Sequence, residues 1–346
     1  MKPRETNNPE PSRAYPQKPR HVWFSFLCGC GLALIFMELV LHNFAGKFEY
    51  SSGYEQRSYR EGIARSHFSP DGLRLTGNAQ IAGAPCVLIL GDSHVEAFQV
   101  RDEETMGSLL ERRLRAEGKQ WNVLQYAWSG ADGPDYVYAA PVVLDRYHPT
   151  RIFLVMNAGD FGSTVTEYAR LVERNGQVVA EPVAPGSVRG RPPSFGGKRS
   201  RKLKESGLLY AAAVRFSLDI LPLLTERKAN AQEGDLLSTT ASPKNVELIV
   251  RGLKEAYGDR LSILYTPGQP FSAQEPPEPQ EADLLADCQA EGMVCESLRG
   301  EMIKALLERH ELARGFLNSA PGWGHLSVSG HEMVADEMHE WLKSSH

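Results

Sequence analysis

From residue 86 onward, short apolar runs alternate with longer segments whose apolar residues recur at helical spacing. A short apolar run that ends in turn residues is typical of a strand buried on both faces. The pattern predicts strands at residues 86–90, 123–127, 152–156, 261–266 and 293–296, and helices at about 103–117, 136–147, 205–224, 244–257, 281–291, up to 310 and from 329 onward. Strands that alternate with helices predict an α/β fold, a three-layer α/β/α sandwich with a five-stranded parallel sheet of the flavodoxin-like kind.

An apolar stretch precedes this pattern. Residues 22–41 contain a single charge, Glu38, and twenty helical residues span the roughly 30 Å hydrocarbon core of a bilayer. Residues 1–20 carry five basic and two acidic side chains. Because basic residues favour the cytoplasmic side, we expect a cytoplasmic tail at 1–20 and one transmembrane helix at 21–43. The remaining chain would be extracytoplasmic, and in a Gram-negative cell it would lie in the periplasm, held by the inner (cytoplasmic) membrane.

Other interpretations of residues 22–41 remain open. A secretory signal peptide has a shorter apolar region and a small-residue cleavage site, and neither fits residues 22–41 well. Residues 27–30 (Leu-Cys-Gly-Cys) resemble a lipoprotein cleavage box, but they come early in the apolar run. The stretch could also be an amphiphilic span packed against a partner helix.

Two further segments lack a regular pattern. Residues 44–80 predict a juxtamembrane linker that packs partly on a domain formed by residues 81–346. Residues 161–205 are an insertion rich in Gly, Pro and Arg. The insertion is either a lid or acceptor-binding loop, or a solvated segment without fixed structure.

Composition narrows the function. The 346 residues are 42% hydrophobic with a net charge of −5 and contain no block of like charges, which argues against nucleic acid as a partner. His94-Val95-Glu96 matches half of a zinc-deaminase signature, but the Pro-Cys-x-x-Cys half is absent, which argues against metal-dependent deamination. Neither a metal nor another cofactor is expected. Cys288 and Cys295 could close a short loop through a disulfide, and the sequence leaves their pairing open.

The first predicted strand ends in Gly91-Asp92-Ser93. Open α/β sheets place their ligands at the carboxyl ends of the strands, so Ser93 is positioned like a nucleophile. Alternatively, Ser93 could cap the helix that follows. At the far end of the chain, His325 stands just before the last predicted helix, and Gly330 follows it five residues later.

Together these blocks resemble the SGNH (GDSL-type) hydrolase family over about residues 81–344. Residues 122–130 resemble the family's second strand, which ends on Gly130, and residues 151–160 resemble its third strand and Gly-x-Asn-Asp block. The resemblance implies a catalytic pair, Ser93 and His325, and an oxyanion hole formed by the amides of Ser93 and Gly130. Asp92 and Asp160 are then expected to support the turns structurally.

Two departures from the family pattern stand out. The family's asparagine is replaced by Gly159, so Asn157, two residues earlier on the same face of the strand, is the expected third oxyanion donor. The family's acid, three residues before the histidine, is replaced by Gly322, and residues 316–329 contain no acid. His325 must then be oriented by a backbone carbonyl, by a carboxylate from elsewhere, or by no partner, and a Ser–His dyad is chemically workable.

The implied function is a membrane-anchored, extracytoplasmic serine esterase that cleaves an acyl ester, such as an O-acetyl group on a glycan, through an acyl-serine. With a sugar hydroxyl as acceptor the same chemistry gives an O-acyltransferase, acting with the polysaccharide synthesis machinery. A non-catalytic glycan-binding or scaffold protein on the same fold is the third hypothesis. Trp128 and Trp323 flank the expected site, where they could stack on sugars or simply pack.

Overall fold

The structure is a computed structural model that describes residues 20–42, 46–58, 61–76, 79–183, 242–316 and 319–344. The helix predicted at 205–224 and nearly all of the tail predicted at 1–20 lie outside these residues. The strands are β1 Gly46–Tyr50, β2 Gly53–Ser58, β3 Ala64–Phe68, β4 Cys86–Gly91, β5 Asn122–Ala127, β6 Arg151–Met156, β7 Ala169–Arg174, β8 Gln177–Pro182, β9 Leu261–Tyr265 and β10 Val294–Ser297. The helices are α1 Arg20–His42, α2 Ser93–Glu96, α3 Met106–Ala116, α4 Gly133–Tyr147, α5 Pro243–Tyr257, α6 Pro279–Ala290, α7 Arg299–Lys304 and α8 Val328–Ser344.

Five parallel strands form the central sheet, in the order β10-β9-β6-β4-β5. All six residues of β4 are buried, as expected for a strand covered on both faces. Because successive side chains point to opposite faces, Leu88 and Leu90 pack on one side of the sheet while Val87 and Ile89 pack on the other. The sheet between two helical layers confirms the predicted fold class.

The two apolar layers are built from different helices. One face of the sheet packs against α4, α5 and α6 through residues such as Val143, Leu253 and Leu284. The other face packs against α3, α7 and α8 through residues such as Leu110 and Met338. The chain leaves β4 toward β5 on one side and later adds β6 on the other, so the carboxyl end of β4 is the point where ligands bind in such sheets.

Residues 46–68 differ from the irregular linker that the sequence predicts. They form an antiparallel sheet in the order β1-β2-β3, with Gly46 opposite Arg57 and Tyr54 opposite Phe68. The strands are short and rich in charged residues, so their apolar content is too low for the sequence pattern to predict them. Phe68 is nevertheless fully buried, and its ring stacks on that of Tyr54 with centroids 4.7 Å apart.

Part of the predicted insertion is a hairpin of β7 and β8. Its two-residue turn, Asn175-Gly176, has positive φ at both positions (54° and 81°), which is the signature of a type I′ turn. The hairpin packs on α5, where Arg251 donates a hydrogen bond to the Gly176 carbonyl and Val178 is buried. Residues 184–205 of the predicted insertion lie outside the described residues.

The α1 helix contains an 18-residue window, Trp23–Val40, with a mean hydropathy of 1.9, and none of that window is buried in the protein. Within the described parts of the chain, α1 is the one helix long and apolar enough to cross a membrane. It fits a single-pass anchor, and a signal sequence near the N-terminus would have the same properties.

Cys288 of α6 and Cys295 of β10 are joined by a disulfide, which answers the question that the sequence left open. Their Cα atoms lie 6.1 Å apart, within the range that a disulfide can bridge. The bond ties α6 to β10, the edge strand of the central sheet, and Cys86 in β4 is a separate buried thiol.

Reducing this disulfide should lower the free energy of unfolding by about 2 kcal/mol, because the cross-link restricts a short loop of the unfolded chain. The measurement is urea unfolding of the wild type with and without dithiothreitol. The Cys288→Ala/Cys295→Ala variant is the control and should not respond to the reductant. Equal stabilities of the oxidised and reduced wild type would contradict the prediction.

Candidate functional site

Ser93 is the first residue of α2, directly after β4. A side chain at Gly91 would meet the Val95 side chain at 2.4 Å, so only glycine permits the sharp turn. Asp92 caps α2, since its Oδ1 accepts a hydrogen bond of 2.8 Å from the His94 amide. The capping role considered for Ser93 therefore falls to Asp92. Within the described residues, the Ser93 hydroxyl has no hydrogen-bond partner.

His325 is held by a carboxylate from the other end of the chain. Its ring Nδ1 lies 2.9 Å from Glu61 Oε2, and its backbone amide donates to the same oxygen at 3.0 Å. Glu61 lies between β2 and β3, and its side chain is 16% exposed. A carboxylate on Nδ1 favours the tautomer with the proton on Nδ1, which leaves Nε2 free to accept a proton. Of the three alternatives that the sequence leaves open, the structure shows a carboxylate from elsewhere.

The backbone conformation explains why no acidic residue stands at position 322, three residues before His325. Gly322 has a φ of +74°, and a Cβ there would lie 2.6 Å from the Phe271 ring. A carboxylate side chain therefore does not fit at position 322 without strain. At Gly324, which has a φ of +98°, a Cβ would lie 2.9 Å from Glu61 Oε2, so the second glycine leaves room for the new acid.

The structure brings Ser93 and His325 to the same edge of the sheet without a direct hydrogen bond between them among the described residues. The link runs through His94, whose ring centroid lies 5.1 Å from that of His325. Hydrogen bonds between catalytic groups are often long when no substrate is bound and shorten in the reacting complex. Gly330 keeps α8 close to this edge, since a Cβ there would meet the Ala313 carbonyl at 2.2 Å.

His94 bridges Asp92 and Arg314. Its Nδ1 lies 3.1 Å from Asp92 Oδ1, and its Nε2 accepts a hydrogen bond from Arg314 Nη1. Burial lowers the pKa of His94, and the positive charge of Arg314 lowers it further, while Asp92 opposes both. Because Arg314 can only donate, Nε2 of His94 accepts and Nδ1 donates toward Asp92.

Asn157 and Asp160 form the floor beside this bridge. The Asn157 side-chain amide donates to Asp92 Oδ2 at 3.0 Å, and its backbone amide donates to Asp160 Oδ2 at 2.7 Å. Burial and the nearby charge of Asp92 raise the pKa of Asp160 well above its ordinary value, and Tyr136 also donates to it. Burial would also raise the pKa of Asp92, but His94 and Asn157 outweigh it and hold that pKa below its usual range.

The contact with Asp92 uses one of the two amide hydrogens of Asn157. The oxyanion role predicted for this residue then depends on the other hydrogen, and it stays a prediction.

The turn that carries Gly130 is fixed to α2. Gly130 is exposed and has a φ of +78°, and the preceding Ser129 donates from both its amide and its hydroxyl to Glu96 Oε2, the amide at 2.9 Å. Glu96 is only 5% exposed, and burial raises its pKa to about 7 although the Ser129 hydrogen bonds oppose the shift. The Ser129–Gly130 turn and helix α2 are thus joined through the buried carboxyl group of Glu96.

The two tryptophans have different roles. Trp128 is 6% exposed and packs edge-on against Tyr126 and Tyr136 in the core. Trp323, two residues before His325, is 76% exposed. Of these two tryptophans, Trp323 is therefore the one with an aromatic face open to solvent.

Sequence reasoning missed Glu61 and Arg314. Both act over long sequence separations, and neither lies in a motif that would single it out. Among the described residues, no group of three or more His, Cys, Asp or Glu side chains is arranged to hold a metal ion.

Comparison with solved structures finds ester hydrolases at low identity. The psychrotrophic esterase EstA from Pseudoalteromonas sp. is 12% identical with a TM-score of 0.38, over 75% of this chain and 97% of that one. The carbohydrate acetylesterase Est24 from Sinorhizobium meliloti is 8% identical with a TM-score of 0.35, over 76% and 100%. A family 3 carbohydrate esterase from Clostridium thermocellum is 12% identical with a TM-score of 0.37, over 74% and 94%. No family model and no curated protein sequence matches the chain.

The buried Glu96 should leave a signature in the pH dependence of stability. Its pKa is raised from 4.5 to about 7 in the folded state, so the folded protein binds its proton more tightly than the unfolded chain. The stabilisation is complete below about pH 4.5 and is lost as the pH rises to about 7, a change of about 3 kcal/mol. Urea unfolding between pH 4.5 and 8 should therefore show a smaller decline for Glu96→Gln than for the wild type.

The matched control for this experiment is Asp259→Asn, because the Asp259 side chain is 95% exposed. This variant should keep the decline of the wild type. An unchanged decline in Glu96→Gln would show that the carboxyl group of Glu96 does not titrate in this range.

Proposed function

We propose that the protein is a serine ester hydrolase of the SGNH type in which Ser93, His325 and Glu61 form the catalytic triad. The observation that carries this proposal is the hydrogen bond from His325 Nδ1 to the Glu61 carboxylate, 2.9 Å long. It supplies the orienting acid that the sequence lacks at Gly322, and it leaves His325 Nε2 as the base at the sheet edge where Ser93 stands.

In the proposed reaction, Ser93 Oγ attacks the acyl carbon of the ester while His325 Nε2 takes the hydroxyl proton. The negative charge that develops on the carbonyl oxygen is met by the amides of Ser93 and Gly130, with Asn157 as the third donor. The tetrahedral intermediate expels the alcohol, which takes the proton from the imidazolium and leaves an acyl-serine. Water then repeats the same steps and releases the acid, while Glu61 stays ionised and stabilises the imidazolium.

The non-catalytic alternative rested on two departures, the absent acid and the displaced asparagine. Glu61 accounts for the first of these, because it contacts both the ring and the backbone of His325. A protein that only bound glycans would have no need for a carboxylate on the ring of a histidine at the same sheet edge as Ser93, whose hydroxyl has no partner among the described residues. We therefore place catalysis first.

An acylated glycan is the proposed substrate. The exposed indole of Trp323 stands two residues from His325 and offers an apolar face on which a sugar ring can stack. The same observation favours a second function, O-acyl transfer to a polysaccharide, in which a sugar hydroxyl replaces water as the acceptor. Such a transferase would work beside the machinery that makes the polysaccharide.

The proposed location is the outer face of the cytoplasmic membrane, with α1 as a single-pass anchor and the N-terminus inside. The apolar side chains of α1 between Trp23 and Val40, none of which is buried in the protein, support the anchor. The Cys288–Cys295 disulfide supports an oxidising compartment for the domain, since such bonds are rare in the cytoplasm.

Labelling with a fluorophosphonate tests the activated serine. The wild type in detergent should be labelled, and Ser93→Ala and His325→Ala should both lose the label, because one removes the nucleophile and the other its base. Folding of each variant is checked by circular dichroism. A well-folded wild type that takes no label would overturn the proposed function.

Replacing Glu61 by Gln or Ala should lower kcat for a chromogenic acetyl ester by roughly 10²–10⁴-fold with little change in KM, because the imidazole loses its tautomer control and its counter-charge. The matched control is Glu117→Gln, since Glu117 Oε1 lies 3.0 Å from His339 in another Glu–His pair, between α3 and α8. A Glu61 variant with kcat within threefold of the control would remove Glu61 from the triad.

Product analysis separates the two acceptors. Incubation of the enzyme with an acetyl donor and an oligosaccharide should give free acetate if water is the acceptor, and acetylated oligosaccharide if a sugar is. We expect hydrolysis to dominate in the wild type and Trp323→Ala to weaken turnover of acetylated glycans more than that of a small ester, as a rise in KM. An equal effect on both substrates would argue against stacking on Trp323.

A further inference from the structure

The Arg314 guanidinium lies between the elements that carry Ser93 and His325. It is 8% exposed, and its hydrogen bonds go to the carbonyl oxygens of Pro267, Thr266 and Gly324, at 2.8, 2.7 and 3.0 Å, and to His94 Nε2. Within the described part of the chain, no carboxylate lies within ion-pair distance of it. Burial lowers the pKa of Arg314, as expected for a cation with no direct counter-ion.

The main chain of Arg314 is bound to the His325 segment as well. Arg314 and Leu326 form an antiparallel bridge, and the Gly315 amide donates to the His325 carbonyl at 3.1 Å. The Gly322 amide donates to the Arg314 carbonyl at 3.2 Å. The backbone and side chain of one residue therefore hold the loop that presents His325.

The side chain of Arg314 is also connected, through His94, to the turn that carries Ser93. His94 immediately follows Ser93, and its Nδ1 lies against Asp92, the residue that caps α2. Because Arg314 has only donors, His94 must accept at Nε2 and carry its proton on Nδ1, which then points at Asp92. Arg314 thereby fixes the tautomer and the orientation of the ring next to the nucleophile.

We infer that Arg314 is a positioning residue that sets the distance between Ser93 and His325, acting through His94 on one side and Gly324 on the other. The inference rests on the proposed function. A buried charge without a carboxylate partner is a poor source of stability, because its desolvation is not offset by an ion pair. Because Arg314 contacts both catalytic segments, we assign it a role in positioning them. A misplacement of about 1 Å between reacting groups can slow a reaction about a hundredfold.

The first test measures steady-state kinetics of Arg314→Met and Arg314→Lys in the full chain, with thermal unfolding of each. We expect Arg314→Met to lower kcat about 10- to 100-fold with KM within twofold, because the substrate contacts remain while the Ser93–His325 geometry relaxes. Arg314→Lys should recover part of kcat, since an ammonium group can still donate to His94 or Gly324.

The matched control is Arg299→Met. Arg299 is also largely buried and bonded by its side chain, but its partner is the Glu281 carboxylate, with bonds of 2.8 and 3.0 Å, and it contacts neither catalytic segment. This variant should lose stability while its kcat stays near the wild-type value. A kcat for Arg314→Met equal to that of Arg299→Met would overturn the inference.

A double-mutant cycle with His94 separates positioning from general destabilisation. His94→Leu removes the acceptor of Arg314, whereas His94→Gln keeps an acceptor and a donor. We expect His94→Leu to lower kcat, His94→Gln to restore it in part, and the double variant Arg314→Met/His94→Leu to be no slower than Arg314→Met alone. If the kcat losses of the two single variants multiply in the double variant, the inference is overturned. If Arg314→Met does not fold, the comparison of His94→Leu with His94→Gln decides the inference.

The outcomes also distinguish this inference from the proposed function. If the wild type shows no Ser93-dependent turnover, the proposed function fails and the inference fails with it. If the wild type turns over substrate and the Arg314 and His94 variants match the Arg299→Met control, only the inference fails.

Discussion

The hydrogen bond between Glu61 and His325 joins residues 264 positions apart, and the geometry of the candidate site depends on it. Its acceptor comes from the loop between β2 and β3, and its donor comes from the loop before α8. The same carboxylate oxygen binds the backbone amide of His325, so the loop and the ring are fixed together. Because the carboxylate lies on Nδ1 of the imidazole, this contact leaves Nε2 as the nitrogen that is available to a reacting group.

Several buried carboxyl groups lie beneath the site, and their pKa values are shifted in different directions. Asp92 keeps its charge because His94 and Asn157 donate to it, whereas burial raises the pKa of Asp160 far above its ordinary value. Burial also raises the pKa of Asp132 and of Glu96 to about 7. The hydrogen bonds to Asp92 hold the His94 ring and the Asn157 side-chain amide in fixed directions next to Ser93.

Local patterns in the sequence predict most of this arrangement. The buried strand before Ser93, the glycine five residues after His325 and the alternation of strands and helices are short-range signals, and they give the sheet and the edge at which both residues lie. Glu61 and Arg314 could not be predicted in the same way, because their partners are 264 and 220 positions away and no local spacing marks them. The strands on either side of Glu61 are short and rich in charged residues, so apolar periodicity does not predict them.

The origin of the acid also limits where the site can lie in the proposed anchored protein. His42 ends α1, Gly46 begins β1 four residues later, and Gly46 pairs with Arg57, itself four residues before Glu61. At about 3.5 Å per residue and about 5 Å between paired strands, Glu61 lies at most about 35 Å from the end of α1. Since His325 contacts Glu61, the candidate site cannot move away from the bilayer on a long tether in that proposal. The proposed anchor and the proposed acid are therefore parts of one constraint, which keeps the candidate site close to the membrane surface.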